Sequence, residues 1–88
     1  MEVAPSLLEA RPTEGCGIWL RFADGLAAEV DFSDLLGHDG VFLPLRDPDF
    51  FRRVKVDDSN ITIEWPGEVD ICPDTLYART REAAGIAA

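Results

Sequence analysis

Two carboxylates near the C-terminal end are the residues whose type and spacing best suit chemistry. Asp70 and Asp74 lie four residues apart and flank Pro73, where a helix is expected to begin. Paired carboxylates can serve as general acid and general base. Together with Tyr77, and with His38 as a further donor, they could form a small-ligand or metal-binding site. The simpler interpretation is electrostatic, because the helix dipole favours an acidic side chain in the first helical turn.

Nucleophilic catalysis would have to use Cys16 or Cys72 with the single histidine, His38. Cys72 is the better candidate, since it precedes a predicted helix and a helix N-terminus favours the thiolate. We nevertheless predict reduced, buried thiols, with a capping or core role for Cys72. The pairs His38-Asp39 and Asp57-Asp58 supply too few ligands for a closed metal site and are typical of turns. The sequence therefore predicts no catalytic residue, no cofactor and no metal, and hence no enzyme.

The net charge of the chain limits the kinds of molecule that we expect it to bind. Seventeen acidic and eight basic residues give a net charge of −9. A field of this sign repels nucleic-acid phosphates and anionic lipids, so we expect neither direct nucleic-acid binding nor membrane binding. It suits a basic protein partner or simple solubility. The basic residues at 52, 53 and 55, and those at 79 and 81, are interpreted as solvated faces and ion-pair partners.

The length and the hydropathy pattern indicate one small domain. The 88 residues are predicted to form a single domain, 1–88, with a tail from about residue 82 that we expect to be flexible. No segment approaches the roughly 20 apolar residues that span a bilayer. The acidic, proline-broken N-terminus does not resemble a signal peptide, so a cytoplasmic location is expected.

Alternation of apolar and polar residues predicts a hairpin over 16–32, after a first strand at 6–12. A three-residue loop, Ala23-Asp24-Gly25, joins the two strands, with Gly25 in the left-handed position of a G1 bulge. A slip of one residue would turn the apolar face outward, which favours this register. The predicted pairs are apolar on both strands: Ile18 with Val30, Leu20 with Ala28, and Phe22 with Leu26.

A second hairpin is predicted from the apolar runs 54–56 and 61–65. Its four-residue loop, 57–60, pairs Val56 with Ile61 and Val54 with Ile63, again on one apolar face. Val69 and Ile71 are predicted to add a short edge strand.

Helical pieces complete the predicted fold. Ser33 caps a single turn that stops at Gly37, and Asp47 caps a short helix with Pro48 at its first position. Residues 41–45 are predicted to be an extended cover. A C-terminal helix runs from Pro73 to a stop at Gly85, and its apolar face is predicted to pack on the sheet through Leu76, Tyr77 and Thr80. The fold class is α+β: a small antiparallel sheet built from two β-hairpin units, with short helical turns and a C-terminal helix.

Several motifs resemble, in order and spacing, a bacterial family catalogued as domain of unknown function 2442. They occupy residues 20–25, 30–32, 42–48 with Phe51, 65–66 and 70–77. The resemblance implies a compact α+β domain without an established activity. Some members carry an added helix-turn-helix domain, and some are encoded beside small toxin-like proteins, which suggests an antitoxin or accessory role. About a dozen residues follow Tyr77, too few for a helix-turn-helix, so the resemblance implies the stand-alone form.

The sequence thus predicts a protein-interaction module, the acidic partner of a small basic protein in an antitoxin-like role. An exposed sheet edge would offer a docking point for a partner strand or for a second copy in a homodimer. The candidate partner or ligand site consists of Asp70, Asp74, Tyr77 and Trp65, although Trp65 and Tyr77 also suit the core. The alternative is the small-ligand or metal-binding domain that uses Asp70, Asp74 and Tyr77. A third hypothesis is a regulator that acts on nucleic acid through its partner.

Overall fold

The computed structural model describes residues 5–37, 44–67 and 69–85. Within these ranges the strands are β1 (Leu7–Pro12), β2 (Gly17–Phe22), β3 (Ala27–Asp31), β4 (Lys55–Val56), β5 (Ile63–Trp65) and β6 (Val69–Asp70). The α-helices are α1 (Pro48–Phe51) and α2 (Pro73–Ala83). The strands form two antiparallel three-stranded sheets, ordered β1-β2-β3 and β4-β5-β6. The predicted α+β class is confirmed. The predicted first strand and short edge strand join the two hairpins as β1 and β6, and the result is two small sheets where one was predicted.

The first hairpin has the predicted register. Ile18 lies opposite Val30 and Leu20 lies opposite Ala28. The N–H of Phe22 donates to the carbonyl of Leu26 at 2.8 Å, which closes the three-residue loop. Gly25 has φ +94°, the left-handed conformation that glycine adopts without steric cost.

The predicted register of the second hairpin is wrong by two residues. Val56 lies opposite Ile63, not Ile61. The cause is Asp57, whose carboxylate accepts hydrogen bonds from the N–H groups of Ile61 at 2.9 Å and Thr62 at 3.2 Å. These bonds lengthen the loop and leave Ile61 exposed. A slip of two residues keeps every side chain on its own face, so the apolar pattern could not exclude it.

The short helical turns follow local hydrogen bonding. Asp47 caps α1 as predicted, accepting from the N–H of Asp49 at 3.0 Å, with Pro48 in the first turn. A 3-10 turn forms at Ser33–Gly37, but the capping acceptor is Asp31, which receives both the N–H and the hydroxyl of Ser33. Of the predicted extended cover, 41–43 lie outside the described residues, and 44–46 form a 3-10 turn instead.

One hydrophobic core joins the two sheets, the short turns and α2. Leu76 and Thr80 of α2 are fully buried, and Tyr77 packs against the same cluster, so the predicted docking face of the helix is confirmed. Burial of a large apolar side chain contributes about 1.5–3 kcal/mol, and these contacts are the main source of stability. The largest fully buried side chains include Trp65, Phe22, Phe32, Leu7, Ile18, Leu20 and Ile63. No helix in the described ranges is long and apolar enough to cross a membrane.

Candidate interaction surface

Asp70 lies on the outer face of the second sheet, directly opposite Glu64. Side chains alternate along β5, so that Ile63 and Trp65 enter the core while Glu64 lies on the other face. On its second side Glu64 is opposite Lys55. A row of one cation and two anions, Lys55, Glu64 and Asp70, therefore crosses this sheet on its outer face.

Glu64 and Asp70 form a cross-strand pair of like charge. Such a pair destabilises a sheet by a few tenths of a kcal/mol up to about 1 kcal/mol when no counter-ion intervenes. Neither carboxylate takes part in an ion pair within the described part of the chain. The isolated protein therefore holds two neighbouring negative charges, and the one cation of this row, Lys55, lies beside Glu64 and not beside Asp70.

Asp74 extends this negative surface onto the start of α2. It lies in the first helical turn, directly after Pro73, and it is exposed. The positive end of the helix dipole favours a carboxylate there. Asp70 is exposed as well, so both carboxylates face solvent at the corner between β6 and α2. We call Glu64, Asp70 and Asp74 the acidic face.

Cys72 lies at the same corner, at the N-cap position of α2. Its thiol makes no capping hydrogen bond of ordinary geometry and is exposed, while Cys16 is half-buried. The prediction of two buried thiols is therefore wrong, since Pro73 begins the helix at the surface. The backbone N–H groups of Thr75 and Asp74 lower the pKa of the Cys72 thiol.

Tyr77 is directed to the first hairpin rather than to the acidic face. Its hydroxyl donates to Asp24 Oδ2 at 2.5 Å, and its ring meets Phe22 edge-on at a centroid distance of 5.0 Å. The hydrogen bond to Asp24 raises the pKa of Tyr77, and the same bond lowers the pKa of Asp24. Tyr77 thus joins α2 to the β2–β3 loop, a contact that sequence analysis missed.

Trp65 belongs to the core. It is fully buried, and its indole N–H donates to the carbonyl of Phe51 at 2.8 Å. A side chain in this position cannot contact a ligand or partner at the surface, and its role is to fix the second sheet to α1. His38 lies outside the described residues. The structure therefore pairs Asp70 with the unpredicted Glu64 and leaves Asp74 exposed four residues further along the chain, while Tyr77 and Trp65 are engaged elsewhere.

Sequence analysis also missed an ion pair between two residues that lie far apart in the sequence. Arg79 donates to both carboxylate oxygens of Asp34, at 3.0 and 2.5 Å, and its guanidinium lies 5.7 Å from the centre of the Phe32 ring. The bond to Asp34 raises the pKa of Arg79. The two residues are 45 positions apart, and no local pattern signals such a pair. This contact confirms the ion-pair interpretation of Arg79.

Within the described residues, no three histidine, cysteine, aspartate or glutamate side chains converge so that they could hold a metal ion. The acidic face supplies two opposed carboxylates on a sheet and one at a helix start. Its geometry is an open negative surface, which is suited to contact a positively charged surface.

Comparison with known proteins places the chain in a family. The family model described as "Protein of unknown function (DUF2442)" matches residues 7–82, which is most of the chain. The protein therefore belongs to this family, as its motifs suggested. Searches of curated proteins and of solved structures each found no match.

Proposed function

We propose that this protein is an interaction module that binds a small basic protein through the acidic face. The observation that carries the proposal is the pairing of Glu64 with Asp70 on neighbouring strands. Two like charges placed side by side weaken the free protein, and a cation supplied by a partner would remove that repulsion. Binding would then relieve a like-charge repulsion that is already present in the unbound protein.

The charge of the whole chain supports a basic partner. With a net charge of −9, the protein attracts cationic surfaces at long range and accelerates encounter with them. Exposed carboxylates at the centre of the contact then set its orientation. The same field opposes direct binding to nucleic acid or to anionic membranes, so we propose neither as a partner.

A different protein is a better partner than a second copy at this edge. Pairing of two copies along β6 would bring Asp70 of each copy close to the other, adding a further like-charge contact. We therefore propose a heteromeric complex, in the cytoplasm, with an accessory or antitoxin-like role and without enzymatic activity. No observation favours the small-ligand alternative at Asp70, Asp74 and Tyr77, since Tyr77 is bonded to Asp24.

Affinity capture from a nuclease-treated lysate of the source organism tests the proposal. The variant Glu64→Gln/Asp70→Asn/Asp74→Asn should lose a stoichiometric basic protein that the wild type retains at low salt and releases as salt is added. The control Glu14→Gln/Glu29→Gln/Asp58→Asn removes three exposed acidic side chains elsewhere and should retain it. Equal loss in both variants would show a net-charge effect and no docking site, and a wild type that captures nothing would contradict the proposal.

A further inference from the structure

A groove whose charged lining residues are basic lies between the β1–β2 turn and α1. Its volume is about 220 Å³, and it is lined by Gly15, Cys16, Leu45, Arg46, Phe51 and Arg52, with Pro48 at its border. Leu45 and Phe51 are buried and form an apolar floor. Arg46 and Arg52 are exposed and form a cationic rim.

The segment 46–55, which supplies most of the lining residues, has a charge opposite to that of the rest of the chain. Residues 46–55 contain four of the eight basic residues and two of the seventeen acidic residues, which gives a local net charge of +2. The remainder of the chain therefore carries −11, which accounts for the total of −9. Neither Asp47 nor Asp49 lines the groove, and Asp47 is engaged in capping α1. An anion is therefore repelled less by this segment than by the rest of the chain.

The two ends of the groove differ in chemistry. The guanidinium groups at the rim define its polar end, and the buried side chains of Leu45 and Phe51 define its apolar end.

We propose that this groove binds a small organic anion, with an oxyanion head at Arg46 and Arg52 and a short apolar body on Leu45 and Phe51. Guanidinium groups match the planar, bidentate geometry of carboxylates and of phosphate esters. The volume equals that of about seven water molecules at ~30 Å³ each, so the ligand is small, with no more than about ten non-hydrogen atoms. An affinity on the order of 0.1–1 mM is expected for a ligand of this size.

Titration of the full-length, ¹⁵N-labelled protein followed by NMR tests the proposal with three probes. Benzoate carries both parts of the ligand, inorganic phosphate only the anionic head, and benzamide only the apolar body. Benzoate should cause saturable shifts at the amides of Gly15, Cys16 and Arg52, and the other two probes should bind at least about fivefold more weakly. Phosphate that binds as tightly as benzoate would overturn the organic class of ligand, and the absence of a saturable shift would overturn the site.

Matched variants locate the charge. Arg46→Gln/Arg52→Gln should weaken benzoate about tenfold or more, since both cations of the rim are lost. Arg53→Gln/Lys55→Gln removes the same charge from exposed residues that do not line the groove, and should change the affinity less than about twofold. Equal weakening in the two variants would contradict the proposal.

The wild-type thiols supply a second test that depends on no variant. Benzoate should slow alkylation of Cys16 by iodoacetamide about threefold or more near saturation, since Cys16 lines the groove. Exposed Cys72 lies outside the groove lining and should react at an unchanged rate. Protection of neither thiol, or of both equally, would overturn the site. These tests are independent of partner binding at the acidic face.

Discussion

The two sheets are held together in different ways. Strands β1 to β3 have five or six residues each, and backbone hydrogen bonds along them fix the first sheet. Strands β4 to β6 have two or three residues, so their backbone ladder is short. Buried side chains anchor this second sheet instead: Trp65 donates to the carbonyl of Phe51 and Thr62 to that of Ile71. A single polar side chain therefore matters more in the second sheet than in the first.

The two tryptophans give the sharpest test of this difference. Trp65→Ala should lower the free energy of unfolding by about 3–5 kcal/mol, because it leaves a large cavity and removes the indole donor from the carbonyl of Phe51. For a domain of this size that is most of its stability. Trp19, on β2 of the first sheet, is half-buried and lies beside Arg11. Trp19→Ala should lower the stability by less than about 2 kcal/mol.

Urea denaturation monitored by circular dichroism measures both tryptophan variants. Similar losses of stability in the two variants would contradict the proposed difference between the sheets. Trp65 would then contribute no more to stability than Trp19 does.

Two buried threonines allow the same comparison to be made by removing a single hydroxyl group from each. Thr62 donates to the carbonyl of Ile71 at 2.6 Å, joining the start of β5 to the segment before α2. Thr62→Val leaves that carbonyl without this donor, and should lower the free energy of unfolding by about 1–2 kcal/mol. Thr80 donates to the carbonyl of Leu76, four residues earlier in α2. That carbonyl is also positioned for the helical N–H bond, so Thr80→Val should change stability by less than about 0.5 kcal/mol.

Chemical denaturation of the two threonine variants measures both changes in the free energy of unfolding. An equal or larger effect for Thr80→Val would show that burial of the hydroxyl, and not the link across the second sheet, determines its contribution.

A side-chain hydrogen bond between Tyr77 and Asp24 joins α2 to the first sheet, and its effect should be the smallest of the three because solvent reaches both groups. The pKa of Asp24 is lowered, chiefly by Tyr77, so its contribution is present above the unfolded pKa of about 4 and is lost as pH falls through the folded pKa. The pKa of Tyr77 is raised, chiefly by Asp24, so its contribution is present below the unfolded pKa of about 10 and is lost as pH rises through the folded pKa.

Tyr77→Phe should therefore flatten the dependence of stability on pH in both of these windows. In the same variant the pKa of Asp24, followed by carboxyl ¹³C NMR, should rise toward its ordinary value. An unchanged pKa of Asp24 would show that the hydrogen bond to Tyr77 is not its cause.

The fold was largely predictable where local chemistry decides it. Gly25 had to close the first loop because only one register kept the apolar face intact, and Asp47-Pro48 and Pro73 marked helix starts. The second loop was not predictable, because Asp57 selects between two registers that keep every side chain on the same face of the sheet. A carboxylate that accepts hydrogen bonds from N–H groups of its own loop does not change the alternation of apolar and polar residues, and the register was predicted from that alternation.

The acidic face was predictable only in part. Asp70 and Asp74 stood out by their spacing around Pro73, but Glu64 lies beside Asp70 through the pairing of β5 with β6, for which no register was predicted. Tyr77 and Trp65 were grouped with them because they are near in sequence. Their true partners, Asp24 and the carbonyl of Phe51, are 53 and 14 residues away, and only the folded chain brings them together.

The central claim, that the acidic face contacts a basic protein, is tested most directly by carbodiimide cross-linking in a native lysate. This reagent condenses a carboxylate with a lysine amine into an amide, with loss of water, and adds no spacer. We expect cross-links from Glu64, Asp70 or Asp74 to lysines of one basic protein, identified by mass spectrometry and suppressed at high salt. Cross-links confined to acidic residues elsewhere, such as Glu14 and Asp58, or no cross-linked partner at all, would contradict the account.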